Sequence, residues 1–414
     1  MIKWITTNIG TASYEDVHDH QGLLIIDVRD MIDREGNDLN VIRDKIQEII
    51  LQLNSGNKVV ICCDYGISRS NAIAAAVLSK TEKISLNNAV RKVISKTGQA
   101  DINIDFLSEV RDALHNRNTL SQMQEASKDK IVLLTGSSGK IGTSLLPKLI
   151  NHTKVFTPNR SEMNLLKGNI ETDFFVKENR IDTIIHLANP RIYTLNSAMG
   201  ETIVMLKNIL DVCCENNIHL VYISSWTVYS GYRADSLLAS ENLPQIPKGT
   251  YGETKYLCEK LISNYVQSNS LKLTILRSSP VYGTGDQPKF ILNFYEKAKS
   301  NNAIVAHKYK NGYPMLDLIH IDDLIDAVLK SILKQKSGTF NIGFGKGVST
   351  TEVAKIIINL TKSKSKIKYR KIQEFSPNIV MDISKAKKEL DWNPQINIEY
   401  GLIKYFNQFM GENL

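Results

Sequence analysis

Residues Ile131–Gly142 read IVLLTGSSGKIG, and this stretch decides the fold of the larger part of the chain. Its apolar run predicts a buried strand over Ile131–Thr135, and the spacing Gly136-x-x-Gly139-x-x-Gly142 predicts a tight turn that opens a helix. The succession of strand, turn and helix then repeats, with further strands predicted at 154–157, 183–188, 220–224 and 273–277. This alternation predicts the α/β class, with a doubly wound parallel sheet and a smaller C-terminal lobe over about residues 285–414.

The glycine-rich turn has the residues that a dinucleotide requires. Gly136 would make the turn, Gly139 would let a pyrophosphate approach the backbone, and Gly142 would let the helix pack closely. The helix N-terminus would favour the negative charge of the phosphates. The sequence therefore predicts a cofactor-binding turn that consists of Gly136, Ser138, Gly139, Lys140, Ile141 and Gly142.

The end of the second predicted strand indicates which dinucleotide binds. An acidic residue at this point would bond the ribose hydroxyls of NAD. Residues 157–161 read TPNRS instead, and Arg160 and Ser161 favour the 2′-phosphate of NADP. We therefore expect NADP as the cofactor, with NAD as the alternative because Glu162 follows directly.

Three polar residues downstream have the pattern of a proton-transfer site. Ser225 directly follows the strand predicted at 220–224, and Tyr251 and Lys255 lie four residues apart, on one face of a helix. The charge of Lys255 is expected to lower the pKa of the Tyr251 phenol, which could then exchange a proton with a substrate hydroxyl or carbonyl as hydride moves. Ser225 would hold the same oxygen, and Lys255 would also bond the cofactor ribose.

Residues 62–70 read CCDYGISRS and predict a different chemistry in the first third of the chain. Strands are predicted at 23–28 and 58–62, and an alanine-rich helix is predicted to begin at Ser70, directly after the loop. A loop between strand and helix turns its backbone N–H groups toward an anion and would lower the pKa of Cys63, the candidate nucleophile. Arg69 would bind two phosphoryl oxygens, and Ser70 would hydrogen-bond the thiolate. Asp33 is the expected general acid, with Asp30 as the alternative.

This first region, about residues 1–120, resembles the dual-specificity (protein-tyrosine-like) phosphatases. The resemblance implies a cysteine-phosphatase α/β domain that acts through a phosphocysteine intermediate. Cys62 stands where that family usually has histidine, which leaves open a domain that only binds phosphate. A small apolar residue at a strand end would account for Cys62 itself.

Residues 130–410 resemble the extended short-chain dehydrogenase/reductases, in particular the sugar-nucleotide epimerases and reductases. The motifs that carry this resemblance are the Tyr251–Lys255 pair, His186-Leu-Ala-Asn189, Leu276-Arg-Ser-Ser-Pro-Val-Tyr-Gly283, Asp317-Leu-Ile-His-Ile-Asp-Asp323, Phe340-Asn-Ile-Gly343 and Asp382–Trp392. The resemblance implies a Rossmann core with a C-terminal substrate lobe, and cofactor contacts at Leu187, Ala188, Asn189, Pro280 and Val281. The stretch 160–166 looks most like the GDP-fucose synthase and dTDP-dehydrorhamnose reductase branches, which favour NADPH.

Three departures from the family pattern narrow the expected chemistry. Trp226 and Thr227 stand where the dehydratases carry an Asp-Glu pair, so dehydration is disfavoured; the fucose synthases have a cysteine at the position of Thr227. Leu316 stands where many members have an arginine for the nucleotide diphosphate. A sugar phosphate or free sugar therefore remains an alternative to a nucleotide sugar.

Length and composition complete the expected organisation. The 414 residues fit two domains, 1–122 and 130–414, joined by a linker at 123–129. Ordinary hydrophobic content of 42%, no long apolar run and five cysteines that include two adjacent pairs fit a cytoplasmic protein without disulfides. The net charge of +8 is scattered, so we expect neither a nucleic acid nor a membrane as partner. No cysteine–histidine cluster has metal-ligand spacing, and a homodimer is expected from the resemblance alone.

Together these features predict a bifunctional carbohydrate enzyme. One domain would reduce, oxidise or epimerise a sugar derivative with NADP(H), and the other would remove a phosphate through Cys63. The alternative is a reductase or epimerase that carries a regulatory module, either phosphate-binding or acting as a protein phosphatase.

Overall fold

The computed structural model describes residues 1–17, 23–34, 36–114, 130–190, 192–193, 195–268, 271–283 and 289–410. The chain divides into two compact units, Met1–Gln122 and Met123–Leu414. The segment 123–129, expected to be a linker, lies outside the described residues. In the described part of the chain, no helix combines the length and apolar character that crossing a membrane requires.

The first unit is an α/β unit with one sheet in its described part. Its strands and helices are β1 (Lys3–Trp4), β2 (Ile9–Ser13), β3 (Leu24–Asp27), α1 (Leu39–Asn54), β4 (Val59–Cys63), α2 (Arg69–Thr81), α3 (Leu86–Thr97) and α4 (Ile104–Leu114). The strand order is β1-β2-β4-β3, with β2 and β3 parallel to β4 and β1 antiparallel to β2. The predicted strands at 23–28 and 58–62 are present, whereas β1 and β2 were not predicted.

Strand β4 is central in this sheet, and its five residues are all buried. Helix α2 packs against it with an alanine-rich face that is buried from Ser70 to Leu78. Small side chains let the helix approach the sheet closely. The loop that joins β4 to α2 follows the last residue of β4, so it lies at the carboxyl edge of the sheet.

The second unit holds fourteen strands and nine helices within its described residues. They are β5 (Ile131–Thr135), α5 (Lys140–Ile150), β6 (Lys154–Phe156), α6 (Ile170–Glu178), β7 (Thr183–His186), α7 (Asn196–Glu215), β8 (His219–Ser225), β9 (Leu237–Ala239), α8 (Gly249–Ser268), β10 (Leu273–Ser278), β11 (Val281–Tyr282), α9 (Lys289–Lys299), β12 (Ile304–Lys308), β13 (Met315–Leu316), β14 (Ile319–His320), α10 (Ile321–Lys334), β15 (Gly338–Ile342), β16 (Val348–Ser349), α11 (Thr350–Leu360), β17 (Ile367–Lys371), β18 (Ile379–Met381), α12 (Ser384–Glu389) and α13 (Ile398–Met410).

Six of these strands form one parallel sheet in the order β15-β10-β8-β7-β5-β6. Successive residues of β5 enter different apolar cores, since Leu133 packs with α7 and α8 while Leu134 packs with α5 and α10. Both faces are therefore covered by helices, and the predicted doubly wound, Rossmann-like parallel sheet is confirmed for this unit. The strand order reverses between β5 and β7, which is where such sheets bind their ligands.

The C-terminal third differs from the single lobe expected over residues 285–414. Strand β15 forms the edge of the main sheet, and α10 and the buried Trp392 belong to the main apolar core. Conversely, the early strand β9 pairs with β18 in a small sheet of the order β16-β13-β18-β9. The chain thus crosses between sheet and lobe several times, and short strands carry no local signal that identifies the sheet they join.

Candidate active sites

The glycine turn of the second unit is built to admit a ligand at the switch point. Gly136 has φ of +71°, and a Cβ there would lie 2.7 Å from the backbone of both Leu187 and Ala188. A Cβ on Gly142 would lie 2.4 Å from the carbonyl oxygen of Gly136. Only glycine fits either position, so β5, the start of α5 and the end of β7 come together closely.

The rim of this turn is open where phosphates would sit. Ser138, Gly139 and Lys140 are exposed, Ile141 is half-buried, and helix α5 begins directly after Gly139. The cradle of backbone N–H groups and the helix N-terminus fit a dinucleotide pyrophosphate. Asn189, also expected to contact the cofactor, is exposed just beyond the end of β7.

The loop after β6 contains an exposed arginine and an acid that is hydrogen-bonded to the loop backbone. Arg160 is exposed. The carboxylate of Glu162 accepts a hydrogen bond of 2.7 Å from the backbone N–H of Asn159, and the side chain of Asn159 accepts one of 2.8 Å from the N–H of Ser161. The acid is therefore engaged within its own turn.

The structure brings Ser225, Tyr251 and Lys255 together at the carboxyl end of β8. Ser225 ends β8 and caps the 3₁₀ turn Trp226–Tyr229. Its hydroxyl accepts a 3.2 Å hydrogen bond from the N–H of Thr227. Tyr251 lies in the first turn of α8, and an interaction with the Ser225 side chain lowers the pKa of its hydroxyl. One helical turn later, Lys255 is buried beneath the tyrosine ring.

The electrostatics of this trio differ from the sequence-based expectation. Burial raises the pKa of Tyr251, the neighbouring Tyr193 raises it further, and the interaction with Ser225 lowers it. The Nζ of Lys255 lies 5.7 Å from the centre of the Tyr251 ring and donates instead to the carbonyl of Ile223 at 2.9 Å and to the hydroxyl of Tyr222 at 3.3 Å. The expectation that Lys255 lowers the phenol pKa is therefore wrong for this arrangement. Burial also lowers the pKa of Lys255, to about 8.

Pro280 and Val281, the remaining expected cofactor contacts, follow β10 at the same edge. The carbonyl of Pro280 accepts a 3.1 Å hydrogen bond from Ile319, and β11 pairs with β14. Behind the edge lies the buried His186, whose Nδ1 is 2.9 Å from the Thr135 hydroxyl. Burial lowers the pKa of His186 to about 3, so this ring is neutral at physiological pH.

The cysteine loop of the first unit turns sharply between β4 and α2. Gly66 has φ of +67°, and a Cβ there would lie 2.4 Å from the backbone carbon of Ala12. Cys63 ends β4 and donates a 3.3 Å hydrogen bond from Sγ to the hydroxyl of Ser70, in the first turn of α2. The loop thus carries its thiol at the N-terminus of a helix, facing a hydroxyl.

Asp33 is held against this loop, because the hydroxyl of Ser68 donates to its carboxylate at 2.6 Å. Ser68 also accepts a 2.8 Å hydrogen bond from the N–H of Asn103, which fixes the residue that precedes α2. Asp30, the alternative acid, is exposed, and no described contact joins it to the loop. The neighbouring Cys62 is fully buried, and burial together with Asp27 raises its pKa to about 12, so it remains a thiol.

Comparison with known proteins agrees with the geometry of the second unit. A family model described as the NAD dependent epimerase/dehydratase family matches residues 132–343, which is more than half of the chain. The chain belongs to this epimerase/dehydratase family. Its second unit is therefore an NAD-dependent enzyme domain of the epimerase/dehydratase type, and residues 1–122 lie outside the matched range.

Individual relatives share the epimerase/dehydratase fold. A putative UDP-glucose 4-epimerase of Methanocaldococcus jannaschii is 28% identical over 308 residues, covering 68% of this chain and 99% of that protein. The solved structure of the Thermus thermophilus UDP-glucose 4-epimerase with NAD has a TM-score of 0.58 at 20% identity and covers 68% of this chain and 99% of its own. The Thermotoga maritima UDP-glucose 4-epimerase with UDP-glucose has a TM-score of 0.58 at 22% identity, with the same coverages.

Sequence reasoning missed a buried polar network under the epimerase/dehydratase site. The guanidinium of Arg277 donates to both carboxylate oxygens of Glu259, from Nε at 3.1 Å and from Nη2 at 2.7 Å. Glu259 also accepts from the hydroxyl of Ser224 and from Gln245 at 2.6 Å. The network therefore links α8 to β8 and β10. Its only sequence signal is that Glu259 follows Lys255 by one further helical turn.

Proposed function

We propose that the second unit epimerises or reduces a sugar derivative, bound as a nucleotide sugar or sugar phosphate, with a nicotinamide dinucleotide. The observation that carries this proposal is the convergence of Ser225, Tyr251 and the buried Lys255 at the sheet edge that also holds the glycine turn. This arrangement offers a proton donor and acceptor next to a cradle for pyrophosphate.

The dinucleotide would supply hydride transfer to or from the substrate carbon when bound. Gly136, Ser138, Gly139, Lys140, Ile141 and Gly142 would hold its pyrophosphate, and Leu187, Ala188, Asn189, Pro280 and Val281 would line its path. The ammonium of Lys255 has three N–H donors, of which two already bond Ile223 and Tyr222. Its third donor is available for a ribose hydroxyl.

Tyr251 and Ser225 would manage the proton of the substrate hydroxyl. Ser225 would donate to the substrate oxygen, and the Tyr251 hydroxyl would take or give the proton while hydride moves. Because burial raises the pKa of Tyr251, its hydroxyl is protonated at neutral pH and is best suited to donate to a developing alkoxide, as reduction of a keto sugar requires.

A substrate panel tests this function. Purified protein would be incubated with NAD or NADP and with UDP-glucose, UDP-glucuronate, UDP-N-acetylglucosamine and the corresponding sugar phosphates, and products would be separated by chromatography. We expect turnover of at least one compound, lost in Tyr251→Phe with cofactor binding retained. A Tyr256→Phe variant, on the same helix, is the matched control. Unchanged turnover in Tyr251→Phe would remove this tyrosine from the mechanism.

We further propose a preference for NADP over NAD. The support is the exposed cation at Arg160, together with the engagement of Glu162 by the backbone of Asn159. Arg160→Ala should weaken NADPH more than NADH by about tenfold, the loss of one charge-assisted contact with a phosphate. Equal effects on both cofactors in a titration of nicotinamide fluorescence would exclude this role.

A second candidate function, a cysteine-dependent phosphatase, rests on the contact of Cys63 with Ser70 beside Arg69 and Asp33. The Cys63 thiolate would attack phosphorus while the bond to the leaving oxygen breaks and Asp33 protonates that oxygen. Water would then attack the phosphocysteine and give its proton to Asp33, the P–S bond would break, and Ser70 would donate to the departing thiolate. Arg69 would bind the phosphoryl oxygens in both steps.

Phosphate release from a panel of sugar phosphates and phosphopeptides tests this candidate. Release from a sugar phosphate that is absent in Cys63→Ser and retained in Cys62→Ser would establish a metabolic phosphatase. Release from phosphopeptides alone would favour the regulatory module. Release from neither would leave the unit without phosphatase activity.

In the cell we propose a cytoplasmic homodimer.

A further inference from the structure

The arginine of the phosphate loop already holds an anion of its own. The Nη2 group of Arg69 forms an ion pair with the carboxylate of Asp64, the residue directly after Cys63. Its Nη1 group donates to the backbone carbonyls of Met31 at 2.7 Å and Arg29 at 3.3 Å. Its Nε is buried and has no hydrogen-bond partner among the described residues. The guanidinium is thus held at Nη1 by two backbone carbonyls, and its Nη2 is occupied by the Asp64 carboxylate.

A phosphoryl group would need the donors that Asp64 uses. Carboxylates and phosphates both accept from guanidinium N–H pairs, so the two anions compete for Arg69. Solvent reaches this ion pair from the Asp64 side, because the Asp64 side chain is 49% exposed whereas that of Arg69 is only 11% exposed. An entering phosphate can therefore displace the carboxylate of Asp64 outward while Arg69 keeps its anchor on Met31.

Two further carboxylates lie in the segment 29–34, which also carries Arg29 and the exposed Arg34. Asp33 bonds the loop through Ser68, and Asp30 is exposed in the same segment. Arg29, which could offset them, is bound by both carboxylate oxygens of Asp27. At the crest of the loop, the ring of Tyr65 is 80% exposed.

We propose that Asp64 is a specificity-determining residue of this site, a proposal that rests on the phosphatase function proposed above. Each substrate must displace Asp64 from Arg69, and the displaced carboxylate then faces the body of the substrate. A second phosphate or a carboxylate on that body is repelled, whereas hydroxyl groups can bond the carboxylate and an apolar ring face can lie on Tyr65. The site selects a phosphomonoester on an uncharged, hydroxyl-bearing body, as in a sugar monophosphate, over a bisphosphate or an acidic phosphopeptide.

The test uses the full chain, with tungstate as the probe for anion binding. We expect Asp64→Asn to bind tungstate about fivefold more tightly than wild type in a calorimetric titration, because the competing partly exposed ion pair is lost. In parallel, the ratio of kcat/KM for glucose 6-phosphate over glucose 1,6-bisphosphate should fall by a similar factor in Asp64→Asn. In wild type the ratio should also fall at high salt, since screening weakens the repulsion. The exposed Asp44→Asn, in α1, is the charge-matched control and should change neither quantity.

Each outcome decides the proposal. Equal tungstate affinity and an unchanged substrate ratio in Asp64→Asn would overturn it and leave the phosphatase intact. Weaker tungstate binding in Asp64→Asn would also overturn it, since Asp64 would then position Arg69 rather than compete with its ligand. Absence of tungstate binding and of p-nitrophenyl phosphate hydrolysis in wild type would remove the phosphate site and both proposals. If circular dichroism shows Asp64→Asn to be misfolded, Asp64→Ser takes its place.

Discussion

Replacing Glu259 by glutamine should cost the second unit a large part of its stability. In the folded protein Glu259 neutralises Arg277, and the two side chains are 5% and 7% exposed. The glutamine would leave the guanidinium buried with only the Tyr229 hydroxyl, the Glu241 carbonyl and one amide oxygen as partners. Breaking a buried ion pair from one side typically costs about 3–5 kcal/mol. The remaining acceptors place the expected loss near the lower end, about 3 kcal/mol.

The measurement is urea unfolding followed by tryptophan fluorescence in a Trp4→Phe background. The chain has three tryptophans, and the other two, Trp226 and Trp392, lie in the second unit. The transition then reports on that unit alone. The free energy of unfolding should fall by about 3 kcal/mol for Glu259→Gln, with an unchanged m-value.

A matched control and a double variant separate the cost of leaving a buried charge without its partner from the cost of losing an exposed ion pair. Lys177 pairs with Asp173 across one turn of α6 and is 61% exposed, so Lys177→Ala should cost less than about 0.5 kcal/mol. Adding Arg277→Met to Glu259→Gln should recover part of the loss, since neither charge of this buried pair then remains. A loss for Glu259→Gln no larger than that for Lys177→Ala would refute the reasoning.

Three further outcomes follow from the two sites. Cofactor affinity, measured by nicotinamide fluorescence, should fall as pH rises through about 8, because deprotonated Lys255 keeps only the two N–H donors that its protein partners use; Lys255→Met should bind weakly at every pH. Gly136→Ala should abolish cofactor binding, because its Cβ would collide with the backbone at the end of β7. Gly139 has φ of −80°, and a Cβ there would lie 3.2 Å from its nearest neighbour, so Gly139→Ala should retain the fold as measured by circular dichroism. Gly66→Ala should remove tungstate binding by the first unit, since its Cβ would overlap the backbone of β2.

The parallel sheet of the second unit could be predicted from sequence because its signals are local. Its strands are short apolar runs bounded by glycine and polar residues, and β5 begins and ends at the predicted positions, Ile131 and Thr135. Strand β1 and strand β2, by contrast, were missed. Ile9–Ser13 reads IGTAS, whose glycine and small polar residues resemble a loop, and only pairing with the buried β4 makes it a strand.

The positions of Ser225, Tyr251 and Lys255 could also be anticipated, but their electrostatics could not. Spacing on a helix places Tyr251 and Lys255 on one face, and a strand end places Ser225 nearby. The direction of a pKa shift depends instead on burial, which is a property of the packed structure. Tyr251 is enclosed by Tyr193, and Lys255 turns its ammonium toward β8, so the desolvation of both groups outweighs their mutual influence.

At the first site, the ion pair of Asp64 with Arg69 could not be predicted from the sequence either. In the sequence Asp64 is one of the five residues between Cys63 and Arg69, to which the loop motif assigns no role. In the folded loop, Gly66 makes the chain turn so sharply that the side chains five residues apart, Asp64 and Arg69, meet in an ion pair. A motif therefore identifies the groups that bind an anion, but only the three-dimensional loop identifies the group that competes with it. Selectivity among phosphates should depend on this competing group more than on Cys63 or Arg69, because these two residues contact the phosphoryl group that every substrate shares.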